Sequence, residues 1–185
     1  MALGLNGSGT ITGLSSTQDG LGLTLVAPTS IASSSGSSSI SGGTVTFTGV
    51  SSISLNGCFS STYENYKVLL TSIGSTTQDV YLRLRAAGTD DSGANYAWTN
   101  DGTNLTGQTS TIISINEALY GAAQGDIFGP ALARSTVGIS SARRPNTSTR
   151  QTSWNHSLAT AYDGMTLYTS TGTMTGTLRV YGYRN

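Results

Sequence analysis

The chain has 185 residues, 36% hydrophobic and only 10% charged, with nine basic and nine acidic side chains and a formal net charge of zero. Such a balance gives no long-range pull toward nucleic acid or an anionic membrane, and it favours association over a solitary monomer. Lys occurs only at Lys67 and Glu only at Glu64 and Glu117, so salt-bridged surface helices cannot be assembled. The abundance of Thr, Ser and Gly argues instead for strands and turns, hence an all-β chain.

From the N-terminus to residue 63 the single charged side chain is Asp19. Ser, Thr and Gly interrupt every apolar run, so the stretch is not a membrane span. An uncharged, weakly polar segment of this length is suited to lying against other protein. Within 1–28, Gly9-Thr-Ile-Thr-Gly-Leu14 and Leu21-Gly-Leu-Thr-Leu-Val26 are short apolar pieces. Leu21, Leu23 and Leu25 alternate with Gly22 and Thr24, a strand period, and a lone strand must pair with something. The reading is a docking arm over 1–28, seated by Leu3, Leu5, Ile11, Leu14, Leu21, Leu23 and Leu25. The start, Met-Ala-Leu-Gly-Leu-Asn-Gly, lacks the basic region and long apolar core of a secretory signal, which predicts synthesis in a cytoplasm without export by that route.

Thr29–Gly43, including Ile31-Ala-Ser-Ser-Ser-Gly-Ser-Ser-Ser-Ile40, reads as a Gly/Ser-rich flexible linker. Extended, it spans on the order of 50 Å at about 3.3 Å per residue.

From 44 to 185 the pattern is that of a folded domain. Val45 and Phe47 alternate with Thr44, Thr46 and Thr48, and Ile53 and Leu55 continue the period. Tyr66–Leu70 is a stronger run. Val80, Leu82 and Leu84 alternate with Tyr81, Arg83 and Arg85, the cleanest amphipathic strand of the chain. Ile112, Ile113 and Ile115, then Trp154 with Leu158, Met165–Tyr168, and Leu178 with Val180 mark further strands. Turn signals separate them: Asn56-Gly57, Asp90–Gly93, Asn100–Gly102, Asp163-Gly164 and Thr171-Gly172. A short helix is placed at Asn116–Ala123, stopped by Gly121. About eight or nine strands at this spacing predict an antiparallel β-sandwich of jelly-roll type, preceded by the extended arm.

The chemistry inventory is thin. His156 is the single histidine; Ser153, His156 and Asp163 would make a triad on paper, but no nucleophile elbow accompanies them. The acids Glu64, Asp79, Asp90, Asp91, Asp101 and Glu117 are scattered over turn-rich sequence, where turn capping is their ordinary task. One Cys and one His cannot build a zinc site, and no cofactor is expected. Cys58 reads as a small buried hydrophobe. Arg134, Arg143, Arg144 and Arg150 are a local basic enrichment, suited to an acidic partner or to an exposed loop. Tyr81, Tyr181 and Tyr183 fall opposite the aliphatic residues of their strands, and outward Tyr beside outward Arg is contact-surface chemistry. Tyr81, Arg83, Arg85, Arg143 and Arg144 are therefore the surface-contact candidates. Four Asn-x-Ser/Thr sequences, at Asn6, Asn104, Asn146 and Asn155, are what so Ser/Thr-rich a chain yields by chance.

Three segments together resemble structural proteins of tailed-bacteriophage virions. They are Gly9-Thr-Ile-Thr-Gly-Leu14, the block Phe59-Ser-Ser-Thr-Tyr-Glu-Asn-Tyr-Lys-Val-Leu-Leu70 followed by Val80–Thr89, and the ending Gly176-Thr-Leu-Arg-Val-Tyr-Gly-Tyr183. The resemblance implies a non-enzymatic virion component, often trimeric, whose β-rich domain points outward. The long shaft, coiled coil and β-helix repeat of a typical tail fibre are missing. The expectation is a short fibre or spike subunit; the alternative is a capsid decoration (cement) protein bridging neighbouring capsid subunits. Its expected partners are other phage structural proteins, its own copies as a homotrimer and, as a further candidate, a host-surface glycan, with no nucleic acid and no membrane. A small depolymerase is the enzymatic alternative and requires carboxylates clustered in a groove.

Overall fold

The computed structural model describes residues 4–5, 11–12, 22–100, 113–117, 120–143 and 148–184. These form strands and no helix: β1 (Gly4–Leu5), β2 (Ile11–Thr12), β3 (Leu23–Val26), β4 (Ser30–Ser34), β5 (Ser37–Ser41), β6 (Thr44–Val50), β7 (Ser52–Asn56), β8 (Asn65–Gly74), β9 (Asp79–Ala86), β10 (Thr89–Asp90), β11 (Tyr96–Asn100), β12 (Ile113–Glu117), β13 (Tyr120–Phe128), β14 (Thr136–Arg143), β15 (Thr149–His156), β16 (Gly164–Thr169) and β17 (Met174–Tyr183).

Two antiparallel sheets make the sandwich. The smaller runs β10-β9-β16-β7-β4, with β12 also on β9; the larger runs β11-β15-β14-β13-β8-β17-β6-β5, with β3 also on β17. Strands β1 and β2 pair with each other and with neither sheet. Alternation decides which side chains enter the core. In β9, Val80, Leu82 and Leu84 are buried and Tyr81, Arg83 and Arg85 are not. Against them pack Ile53 and Leu55 of β7, Met165 and Leu167 of β16, Tyr66, Val68 and Leu70 of β8, and Leu178 and Val180 of β17. Each such side chain contributes about 1.5–3 kcal/mol when taken from water. Cys58 belongs to the same core, where burial pushes its thiol up to about 12 and leaves it an inert filler.

The linker expected over Thr29–Gly43 is instead part of the sandwich. Strand β4 pairs with β7 and β5 with β6. Two tight turns make this possible in a Ser-rich sequence. Ser35 and Gly36 (φ 63° and 58°) turn the chain from one sheet to the other, and Gly42 and Gly43 (φ 53° and 81°) close the β5–β6 hairpin. Ile31 and Ile40 are their only large apolar side chains, and both lean on the core. The arm expected over 1–28 is likewise divided: β3 lies along β17, so Leu23–Val26 belong to the sandwich. Of the docking candidates, Leu23 is exposed and Leu25 half-buried in β3. Leu5 and Ile11 are register partners in the β1–β2 pair, and Leu3, Leu14 and Leu21 fall outside the described residues. The helix expected at Asn116–Ala123 is replaced by the ends of β12 and β13, which pair with β9 and β8. Ala122 and Ala123 point to opposite faces of the sheet, as a strand demands.

One glycine sets the packing of the largest core side chain. Gly138 and Trp154 are register partners, and a Cβ at Gly138 would sit 2.2 Å from the Trp154 ring. Gly138→Val therefore expels the indole and should cost about 1–3 kcal/mol by overpacking, seen as a lower urea midpoint and altered Trp fluorescence. An unchanged midpoint would refute this packing account.

Candidate functional site

The outward face of the smaller sheet collects the chain's polar recognition groups, and strand register explains how. Three rows cross it. Ser52, Tyr168 and Tyr81 are successive register partners, as are Ser54, Thr166 and Arg83; Gly164, Arg85 and Asp90 make the third. Gly164 has no side chain, and Arg85 reaches across that gap to the far strand. Its guanidinium donates to Asn56 Oδ1 (3.1 Å), Ser54 Oγ (3.1 Å) and Thr166 Oγ1 (2.7 Å), and also to Asp90 and the Gly88 carbonyl. Thr166 in turn donates to Asp90 at 2.7 Å. The Arg85 side chain is 11% exposed, so this is a charge-neutral, hydrogen-bonded brace over four strands.

Beside the brace the face is aromatic. The Tyr81 and Tyr168 rings lie 5.5 Å apart, and the Arg83 guanidinium sits 4.9 Å from the Tyr168 ring centre. Tyr81 donates to Asp79 Oδ2 at 3.2 Å. Burial, with Asp79 beside it, raises the Tyr81 hydroxyl above its ordinary value; burial likewise raises Tyr168. Both phenols are thus neutral near neutral pH; the Tyr168 hydroxyl is buried without a hydrogen-bond partner, so that residue presents its ring. Ser51, Ser52, Ser54, Arg83, Asp90, Thr166, Tyr168 and Thr169 line an open trough of about 360 Å³. Its hydroxyls, one guanidinium, one neutralised carboxylate and one phenol ring can grip a polar partner. They offer no nucleophile paired with a base.

The one arrangement that looks catalytic is buried. Asp91 Oδ2 lies 3.0 Å from His156 Nε2 and accepts the Tyr162 hydroxyl at 2.9 Å. Tyr96, its ring 4.5 Å from the imidazole, donates to the Asp91 carbonyl and accepts from the Leu84 N–H. Removal from water holds His156 below its ordinary 6.5, outweighing the nearby Asp91 carboxylate, so the ring is a neutral donor to that carboxylate. For Asp91, burial acts to raise the carboxyl, but the Gly93 N–H, the Tyr162 hydroxyl and the Asn95 amide outweigh it and hold the group below its ordinary value. His156 has no exposed surface, and this cluster clamps the 91–95 and 157–163 loops to β15.

The candidate triad does not assemble: Ser153 is on the exposed side of β15 and His156 on the buried side, while Asp163 accepts the Ala87 N–H. Of the surface-contact candidates, Tyr81, Arg83 and Arg85 share the small-sheet face; Arg85 is the brace, with its donors committed. Arg143 is exposed at the end of β14 on the other sheet, and Arg144 lies outside the described residues. The basic enrichment is dispersed: Arg134 pairs with Glu64 at 2.7 Å, and Arg150 is buried 3.6 Å from Asp79. Asp101 lies outside the described residues. Among the described residues no group of three or more His, Cys, Asp or Glu is placed to hold a metal. Sequence reasoning missed Tyr168 and Thr166; it gave Asp91 turn capping, which the Gly93 N–H at 2.9 Å bears out, but not its contact with His156. Tyr168 and Thr166 alternate with Met165 and Leu167, which signals their face; nothing local signals that Asp91 meets His156.

No protein-family model matches the chain, and no curated protein does. Among solved structures it is similar to a functionally unknown protein from Saccharomyces cerevisiae, at 10% identity over 80% of this chain and 95% of that one, with a TM-score of 0.26. It is also similar to a Lotus tetragonolobus seed lectin isoform, at 6% identity over 88% of this chain and 99% of that one, with a TM-score of 0.24. At such scores neither carries an argument.

Two outcomes are expected here. Arg85→Met leaves Asp90 without its cation and should cost about 2 kcal/mol in urea unfolding, whereas a change near zero would mean the brace is idle. The His156 shift fixes the sign of an acid effect. A base held below its ordinary value contributes stability that is present above about pH 6.5 and lost as the pH falls below it. The urea midpoint should therefore drop between about pH 7 and about pH 5 in the parent and be flatter in His156→Gln; equal slopes would remove His156 as the cause.

Proposed function

We propose that the chain is a non-enzymatic structural subunit of a tailed-phage particle, of the short fibre or spike kind. Residues N-terminal to the sandwich attach it, and the small-sheet face with Tyr81, Arg83 and Tyr168 makes outward protein or host-surface contacts. One observation carries the reading. The strands β3 to β7 occupy one flank of both sheets, and from residue 22 to 63 the sequence has no charged side chain. A flank without charge is unusual for a surface facing water and suits one covered by other protein. The order of the segments resembling phage proteins supports the same reading, since they map onto β2, the entry to β8, β9 and β17. A trough of hydroxyl, phenol and guanidinium groups adds contact chemistry without catalytic chemistry.

The test is incorporation. Removing residues 1–43 would take β3, β4 and β5 out of the sheets, so the informative cut removes residues 1–21 alone. Particles assembled with that version should lack the protein, while the purified version keeps the parent's circular dichroism. Incorporation at the parent level would overturn the attachment role. Labelling intact particles separates a fibre or spike, marked on the tail, from a capsid decoration protein, marked on the head.

A further inference from the structure

The flank has a second property besides lacking charge: among the described residues both of its sheet edges are open. Strand β4 is the last strand of the smaller sheet and β5 the last of the larger one, and the Ser35–Gly36 turn joins them directly. An edge strand presents unpaired N–H and C=O groups, and folded proteins ordinarily guard it with Lys, Pro, a bulge or a covering loop. Neither β4 (SIASS) nor β5 (SSSIS) contains a charge or a proline. Their pairings with β7 and β6 run without a register shift, so no bulge turns them away.

We propose that β4 and β5 pair with β4 and β5 of a second copy of this chain, extending both sheets through a two-fold axis normal to them. This rests on the reading of the flank as a covered surface and names what covers it. The choice of occupant follows from complementarity. A two-fold normal to the sheets brings each edge against its own image in antiparallel orientation, so one operation satisfies both strands. An uncharged flank meeting itself strands no charge in the joint, whereas a charged partner would have to bury its ions unpaired. Neutral net charge leaves no opposing repulsion between copies. The short side chains of β4 and β5, Ser and Ala apart from Ile31 and Ile40, leave the backbones free to approach to strand spacing.

The purified full-length chain tests this apart from any particle. Sedimentation between about 1 and about 100 μM should show a dimer forming with concentration. Ala32→Lys with Ser39→Lys puts a charge at the centre of each edge, on exposed positions, and should leave a folded monomer. Mixing that variant with the Ala32→Glu, Ser39→Glu variant should restore a dimer, because opposite charges then face each other across the axis. Without any substitution, the amides of β4 and β5 should gain hydrogen-exchange protection as the parent is concentrated. A parent monomeric throughout the range, a Lys variant that still dimerises, or protection at β4 and β5 that ignores concentration would each overturn the proposal. Loss of the dimer alone leaves particle attachment through residues 1–21 standing, and loss of attachment alone leaves the dimer standing.

Discussion

The larger sheet is held together by β17. One edge of this strand pairs along its whole length with β8; the other is shared end to end by β6 and β3. Through that single strand the uncharged flank is joined to the half of the sheet carrying β13, β14, β15 and β11. The contacts it makes are among the most distant in sequence, with the Thr175 hydroxyl accepting from the Gly49 N–H across 126 positions and Arg184 donating to Thr24 across 160. Gly176, inside β17, is hemmed in by the Thr71 carbonyl at 2.0 Å from where a Cβ would stand. The strand can sit this deep because it gives up a side chain at its most crowded point.

The molecule is consequently divided into two chemical halves. On one side lie Ser- and Thr-rich strands whose hydrogen-bond capacity is met by backbone and hydroxyls. On the other, ion pairs and phenols fix the surface, Lys67 with Asp126 at 2.9 Å on the outer side of the large sheet and Arg85 with Asp90 on the small sheet, while the neutral His156 is buried beside Asp91. Lys67 and Asp126 belong to adjacent strands, as do Arg85 and Asp90. In these two pairs charge works as cross-strand fastening, and its absence from the flank leaves that side dependent on backbone pairing and hydroxyls.

What the sequence disclosed follows the same division. Val80, Leu82 and Leu84, or Val45 and Phe47, announce strand and buried face together, because alternation is a local property. The sandwich was legible from such runs. Strands β4 and β5 were not, since a serine run has the composition of a linker and only two glycine-bearing turns and the neighbours β7 and β6 make it strand. The helix expected near Asn116 failed because helix propensity is a weak local preference that pairing with β8 and β9 overrides. For the site, the outward set Tyr81, Arg83 and Arg85 could be read from one strand, but its completion by Ser54, Thr166 and Tyr168 depends on register between strands far apart in sequence. Asp91 with His156 is likewise a product of topology.

The central place of β17 also orders events in time. Synthesis delivers β3 to β7 well before β17, so the flank strands wait without the partner that anchors them. A ribosome-bound chain at that stage holds serine-rich strands with no repelling charge, able to pair with β6 and β7 but without the strand that joins them to the rest of the large sheet. Soluble waiting by such strands relies on their hydroxyls being content in water, which a more aliphatic flank would not be. The serine content that disguises β4 and β5 as linker is thus also what lets the chain tolerate a sheet whose keystone arrives at the end.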